Sequence, residues 1–94
     1  MSAQVAQDLR AAAEVLERDG WTQDESISDS GQHCAIGAIV EAVDKDMSRE
    51  NPAYYTFRDY LGQSVSRWND RKGRTADEVI DALRAAADAA EAQQ

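Results

Sequence analysis

The chain has 94 residues, of which 43% are hydrophobic, and its 18 acidic and 10 basic side chains give a net charge of −8. This length suits one compact domain and is too short for two, while the hydrophobic fraction excludes a disordered chain. The negative charge disfavours nonspecific binding to nucleic acid or to an anionic membrane, so a basic or neutral protein is the expected partner.

The sequence also predicts a cytoplasmic protein. Its single cysteine cannot close an internal disulfide, which suits a reducing compartment. The N-terminal stretch has neither the basic start nor the long apolar run of a signal peptide. No segment approaches the roughly 20 apolar residues that a membrane-spanning helix needs.

The first predicted element is an amphipathic helix over residues 3–18. Apolar residues recur along it at helical spacing, and charged residues lie opposite. The apolar stripe consists of Val5, Leu9, Ala12, Ala13 and Leu16. Gly20 is expected to end this helix in a left-handed conformation. Residues 22–31 are polar and aperiodic, which predicts a loop from which only Ile27 reaches the core.

The second predicted helix, over residues 32–43, lacks a wide polar face. Ile36, Ile39, Val40 and Val43 share one side, and small residues that include Cys34 and Ala38 occupy much of the other. A helix that is apolar on two sides is normally packed between neighbours. We therefore expect this helix to be the central one.

Three further elements follow. Asn51 and Pro52 predict an N-cap and a first helical position for a helix that ends at Gly62. Residues 64–68 predict a short helical turn, with Val65 and Trp68 pointing inward. Thr75 and Glu78 form a capping-box pattern at the start of the last helix. The sequence thus predicts an all-α fold: one domain over residues 1–94, a compact bundle of four helices plus a short helical turn.

Three stretches, "LRAAAEVLERDGWTQ", "HCAIGAI" and "WNDRKGRTADEVIDALRAAA", carry a resemblance that covers most of the chain. Together they resemble a family of small domains of unknown function from actinobacteria and their phages. The resemblance implies such an origin and brings no activity, cofactor or catalytic residue. Members of that family tend to have tryptophan or a second cysteine before the shared cysteine, where this chain has Gln32 and His33. That departure weakens a two-cysteine redox or metal site.

His33 and Cys34, the only histidine and the only cysteine, are the candidate catalytic pair. The positive end of a helix dipole favours a thiolate, and a cysteine nucleophile needs a base within hydrogen-bond reach. Adjacent positions on a helix diverge by about 100°, however, so the two side chains are not expected to face each other. Cysteine is also often buried as a small hydrophobe. We therefore favour a core role for Cys34 and predict no catalytic residue, cofactor or metal site.

The candidate interaction residues are one tyrosine and a basic cluster. Tyr55 cannot face inward together with Tyr54, so it is the expected exposed aromatic. Residues 67–74 have a net charge of +3, which leaves −11 for the remainder. The basic cluster consists of Arg67, Arg71, Lys72 and Arg74. It could contact phosphate or an acidic partner, but we favour pairing with the acidic helices of the same domain, with Trp68 in the core.

The leading functional hypothesis is a noncatalytic protein-binding or regulatory module, whose partner could be a host factor. One alternative is a small cysteine-dependent enzyme that uses Cys34 with His33. The other is a nucleic-acid-binding protein that uses the basic cluster. A homodimer also stays open, because a twofold partner can complete a thin, alanine-rich core.

Overall fold

A computed structural model describes residues 2–93, which form five helices: α1 (Ser2–Asp19), α2 (Ala35–Ala42), α3 (Met47–Leu61), α4 (Val65–Asn69) and α5 (Ala76–Ala92). The part of the chain described contains no strand, only two isolated bridges that involve His33. The all-α prediction, with four longer helices and one short helical turn, is confirmed. None of the described helices is long and apolar enough to cross a membrane.

Helix α1 has the most extensive contacts in the bundle, while α2, predicted as the central helix over residues 32–43, spans residues 35–42 and contacts α1, α3 and α4. α1 contacts α2, α3 and α5. Its alanines Ala6, Ala12 and Ala13 are fully buried, which lets the neighbouring helices approach closely. α2 has only eight residues, and Ile36 and Val40 on it stay partly exposed. A helix of two turns is too short to line the whole core.

Helices α1 and α5 pack side by side in opposite directions. Arg10 pairs with Asp88 at 2.8 Å, and Glu17 pairs with Arg84 at 2.7 Å, so later residues of one helix meet earlier residues of the other. The first turn of α1 has no acidic residue and the last turn of α5 has no basic one. In this arrangement the opposite dipole ends of the two helices lie together and offset each other.

Helix α3 begins earlier than the sequence predicts. Asp46, rather than Asn51, is the N-cap, and its Oδ1 accepts a hydrogen bond from the Ser48 backbone N–H at 3.0 Å. Pro52 therefore lies inside the helix, where it removes the bond to the Ser48 carbonyl. The first turn is also held from outside, because Arg49 Nε donates to the buried Asp8 at 3.2 Å. The cap and this tertiary contact outweigh the proline.

Five predicted boundaries or contacts agree with the structure. Gly20 and Gly62 have φ angles of +94° and +72° directly after α1 and α3. Thr75 Oγ1 accepts from the Glu78 N–H at 3.2 Å while Glu78 Oε1 accepts from the Thr75 N–H at 2.9 Å, which completes the capping box. Val65 is fully buried, and Trp68 packs edge-on against Phe57 with ring centroids 5.9 Å apart.

Candidate functional site

The loop between α1 and α2 fixes His33 by backbone hydrogen bonds. The His33 N–H donates to the Gly20 carbonyl at 3.0 Å, and the His33 carbonyl accepts from the Thr22 N–H at 2.9 Å. Ile27 pairs with the same residue in a short antiparallel bridge, but its side chain is 57% exposed. The prediction that Ile27 reaches the core is therefore wrong, because backbone pairing rather than apolar burial holds this loop.

The imidazole of His33 is buried against the end of α1. Its Nε2 lies 3.1 Å from Asp19 Oδ2, and the side chain is 6% exposed. Arg18 also donates to Asp19, at 2.7 and 2.8 Å. The pKa of Asp19 is lowered to about 2, mainly by the hydrogen bond from Arg18, against partial burial, with a smaller effect from His33. The imidazole nitrogen Nε2 is thus engaged by a carboxylate of α1 and not by Cys34.

Cys34 lies one residue before the first turn of α2, as its N-cap. Its Sγ accepts a hydrogen bond from the Gly37 N–H at 3.3 Å, and the residue is 9% exposed. Its own N–H donates to the Ser26 carbonyl at 3.1 Å. No hydrogen bond joins Cys34 to His33, so each of the two candidate catalytic side chains has a structural partner of its own.

The buried side chain that organises this region is Asn69, at the end of α4. Its Oδ1 accepts from the Trp21 indole Nε1 at 2.7 Å and from the Ala35 N–H at 3.0 Å. Its Nδ2 donates to the Thr22 carbonyl at 3.2 Å and to Asp70 Oδ1 at 2.9 Å. No signal in the sequence identified these distant partners of Asn69.

An open cavity of about 200 Å³ lies beside Cys34. Its lining consists of Asp24, Glu25, Ser26, Cys34, Ile36, Ser66, Asn69 and Asp70. Three of these side chains are acidic and none is basic. Within residues 2–93, no group of three or more His, Cys, Asp or Glu side chains could hold a metal ion. The cavity therefore presents carboxylates and hydroxyls around a buried, hydrogen-bonded thiol.

A larger groove, of about 350 Å³, lies between α1, α3 and α5. Its lining consists of Val5, Thr56, Asp59, Tyr60, Ala86, Ala89, Ala90 and Gln93. Tyr60 is 47% exposed, although it is a large aromatic residue. Small alanines on α5 face this tyrosine across the groove. Sequence analysis did not identify this groove, because it depends on how three helices pack.

The four residues of the basic cluster differ in their contacts with the rest of the domain. The Arg74 guanidinium lies 4.1 Å from the Trp68 ring centre, and it pairs with Glu78 at 3.7 Å. Arg67, Arg71 and Lys72 are exposed and form no ion pair within the described chain. The internal pairing that the sequence favours therefore holds for Arg74 alone.

Tyr55 lies apart from these residues, on the solvent side of α3. It is 49% exposed, which agrees with its assignment as the exposed aromatic residue. Its ring packs edge-on against Tyr54 with centroids 5.1 Å apart, and the Arg58 guanidinium lies 4.7 Å from its centre. The ring is therefore partly covered by its own helix.

The fold and these surfaces define a small all-α domain that uses its histidine, cysteine and buried asparagine in structural hydrogen bonds. The chain belongs to a family of unknown function, DUF6197, which matches residues 1–89. No curated protein and no solved structure was found to be similar to it. The predicted membership of a family of unknown function is thus confirmed.

Proposed function

We propose that this chain is a noncatalytic module that binds another protein through the groove between α1, α3 and α5. The observation that carries the proposal is the half-exposed Tyr60 beside Ala86, Ala89 and Ala90 in a groove of about 350 Å³. Tyrosine is enriched at binding hot spots, and small residues let a partner backbone approach closely. An apolar helix ridge laid into a groove is a common mode of recognition.

The expected occupant is an amphipathic helix with basic residues beside its apolar ridge. Asp59 is the charged residue of the groove lining, and the neighbouring Arg58 pairs with it at 3.5 Å. The chain as a whole has a net charge of −8, which speeds association with a basic partner and slows it with an acidic one. The overall charge therefore favours a basic helix as the occupant of the groove.

The hydrogen bonding of Cys34 and His33 favours binding over cysteine-dependent catalysis. A cysteine nucleophile needs a base within hydrogen-bond reach of its sulfur. Here the sulfur accepts from Gly37 and the imidazole contacts Asp19. The resemblance to actinobacterial and phage domains supports a cytoplasmic setting and a host factor as the partner.

The test is selection of helical peptides from a display library on the native protein, followed by affinity measurements on two variants. Ala89→Lys places a bulky positive charge in the groove, and Ala85→Lys makes the same change outside the groove lining on the same helix. We expect selected peptides to carry basic residues and to bind Ala89→Lys at least about tenfold more weakly, with Ala85→Lys close to wild type.

Two outcomes would contradict the proposal. Peptides that bind Ala89→Lys as tightly as wild type would place the binding surface elsewhere, and mainly acidic peptides would refute the predicted charge of the partner. Sedimentation of the protein without peptide completes the test. A dimer that dissociates in Ala89→Lys but not in Ala85→Lys would assign the groove to a second copy of the chain.

A further inference from the structure

We infer that Arg67, Arg71 and Lys72 form a second binding surface, which takes a short acidic segment of a partner protein. The inference does not depend on the groove between α1, α3 and α5. Arg67 and Arg71 are the arginines that form no ion pair within the described chain. Every other arginine pairs with a carboxylate: Arg10, Arg18, Arg49, Arg58, Arg74 and Arg84.

This distribution is informative because the chain has a large excess of acids, with 18 against 10 bases. Most arginines can therefore find a carboxylate within the same domain. The two without one lie within five residues of each other and beside the exposed Lys72. Positive charge that the domain leaves uncompensated in one place is available to an anion from outside.

The backbone under this surface is held in place. Ser64 Oγ accepts from the Arg67 N–H at 3.3 Å, which caps α4. Gln23 Nε2 donates to the Asn69 carbonyl at 3.1 Å and to the Arg71 carbonyl at 2.9 Å. Binding therefore need only order the long side chains, and a preorganised backbone reduces the entropic cost.

The guanidinium group is well suited to binding a carboxylate. Its planar set of N–H donors matches a carboxylate in a bidentate arrangement, which adds geometric specificity. A side chain of aspartate or glutamate on an exposed partner loop can reach it without a deep pocket.

The surroundings disfavour an extended polyanion. Asp70 lies between Arg67 and Arg71 in the sequence, and its Oδ1 accepts from the Asp24 N–H at 2.9 Å. A nucleic acid that extends past the three cations would therefore meet the carboxylates of Asp70 and Asp24. Stacking of a base is also hindered, because Arg74 lies over the Trp68 ring and Phe57 packs against it. A short acidic segment avoids both problems.

The experiment follows backbone amide signals of the full chain by NMR during titration with a capped hexaglutamate peptide. The test variant is Arg67→Gln/Arg71→Gln. The control, Lys45→Gln/Arg58→Gln, removes the same charge elsewhere. We expect shifts centred on residues 65–74, and dissociation constants roughly fivefold higher in the test variant but near wild type in the control. Binding should also weaken between about 20 and 200 mM salt.

Three results would overturn the inference. The first is a titration without shifts at residues 65–74. The second is equal weakening in both double variants, which would indicate attraction by general charge. The third is a thymidine dodecanucleotide that binds the same residues more tightly than hexaglutamate and loses affinity in the test variant, which would assign the surface to nucleic acid.

Discussion

The indole Nε1 of Trp21 donates a 2.7 Å hydrogen bond to the side-chain oxygen of Asn69, although the two residues are 48 positions apart in the chain. The same oxygen accepts from the first backbone N–H of α2, at Ala35. One carboxamide thus joins the loop after α1, the start of α2 and the end of α4. This region holds both His33 and Cys34, so its geometry depends on Asn69.

Asn69→Ala should lower the free energy of unfolding by about 3 kcal/mol or more. The substitution leaves Trp21 Nε1, the Ala35 N–H and the Thr22 carbonyl without the partners described above, and each unsatisfied buried group costs about 1–3 kcal/mol. Urea unfolding measures the change. The control is Asn51→Ala on the exposed side of α3, which should stay within about 0.5 kcal/mol of wild type.

Gly37→Ala should destabilise the protein, although helix propensity alone predicts a gain of about 1 kcal/mol for this change within a helix. A Cβ at Gly37 would overlap the carbonyl oxygen of Ser26, a backbone atom. The loop or the helix would have to move, at a cost of about 2 kcal/mol or more. A more stable variant in thermal unfolding would show that the loop yields easily. Gly31→Ala is the comparison variant. Its φ is +85° and no atom lies near its Cβ, so any loss of stability there comes from backbone strain and not from steric overlap.

Lys45→Gly should stabilise the protein. Asp44 and Lys45 have φ angles of +53° and +61°, and two successive non-glycine residues in the left-handed region are strained. Relief of the strain exceeds the entropic cost of glycine, so we expect the free energy of unfolding, measured with a chemical denaturant, to rise by roughly 0.5–1 kcal/mol. Lys72→Gly is the matched control, since its φ is not positive, and it should give no gain.

Asp19→Asn should reduce the loss of stability in acid. The pKa of Asp19 is about 2 in the folded protein, below its value of about 3.9 in an unfolded chain. A lowered pKa stabilises the fold fully above the unfolded value, and this contribution is lost as the pH falls toward 2. The urea midpoint should therefore fall less in the variant than in wild type between pH 7 and about 2.5.

Asp19→Asn should still lose part of its stability in acid. The pKa values of Asp46 and Glu91 are also lowered, by hydrogen bonds from Ser48 and Arg10. Asp29→Asn, in the exposed loop, serves as the control and should follow the wild-type curve. Identical curves for Asp19→Asn and wild type would show that the contact with Arg18 and His33 adds no stability.

Cys34 should react slowly with a thiol reagent in the native protein at neutral pH and rapidly in urea. Its sulfur is buried and accepts a hydrogen bond from Gly37, so reagent must wait for local opening. The measurement is the rate of disulfide exchange with an aromatic disulfide, with and without denaturant. Rapid native labelling would revive the cysteine-enzyme hypothesis.

The features that the sequence predicts correctly are encoded within a few neighbouring residues. The capping box of Thr75 and Glu78 needs only positions three apart, and Gly62 ends α3 through its own backbone freedom. Periodicity alone likewise identifies the apolar stripe of α1.

The features that the sequence does not predict depend on residues that are distant in the chain. Asn51 and Pro52 form a plausible helix start, but Asp46 caps the helix and Arg49 reaches the buried Asp8 on α1. The eight-residue length of α2 follows from loop pairing around Ser26 and Cys34, which no local pattern reveals. The groove beside Tyr60 similarly exists only when three helices are assembled.

The pairing of α1 with α5 has a consequence for synthesis on the ribosome. α1 is translated before the other helices described, and α5, with which it has its most extensive contacts, is translated only after residues 20–75. At about 5–20 residues per second, the apolar side of α1 waits on the order of several seconds for α5. During that interval only part of this side can be covered by α2 and α3, and the surface that α5 buries in the folded domain stays open.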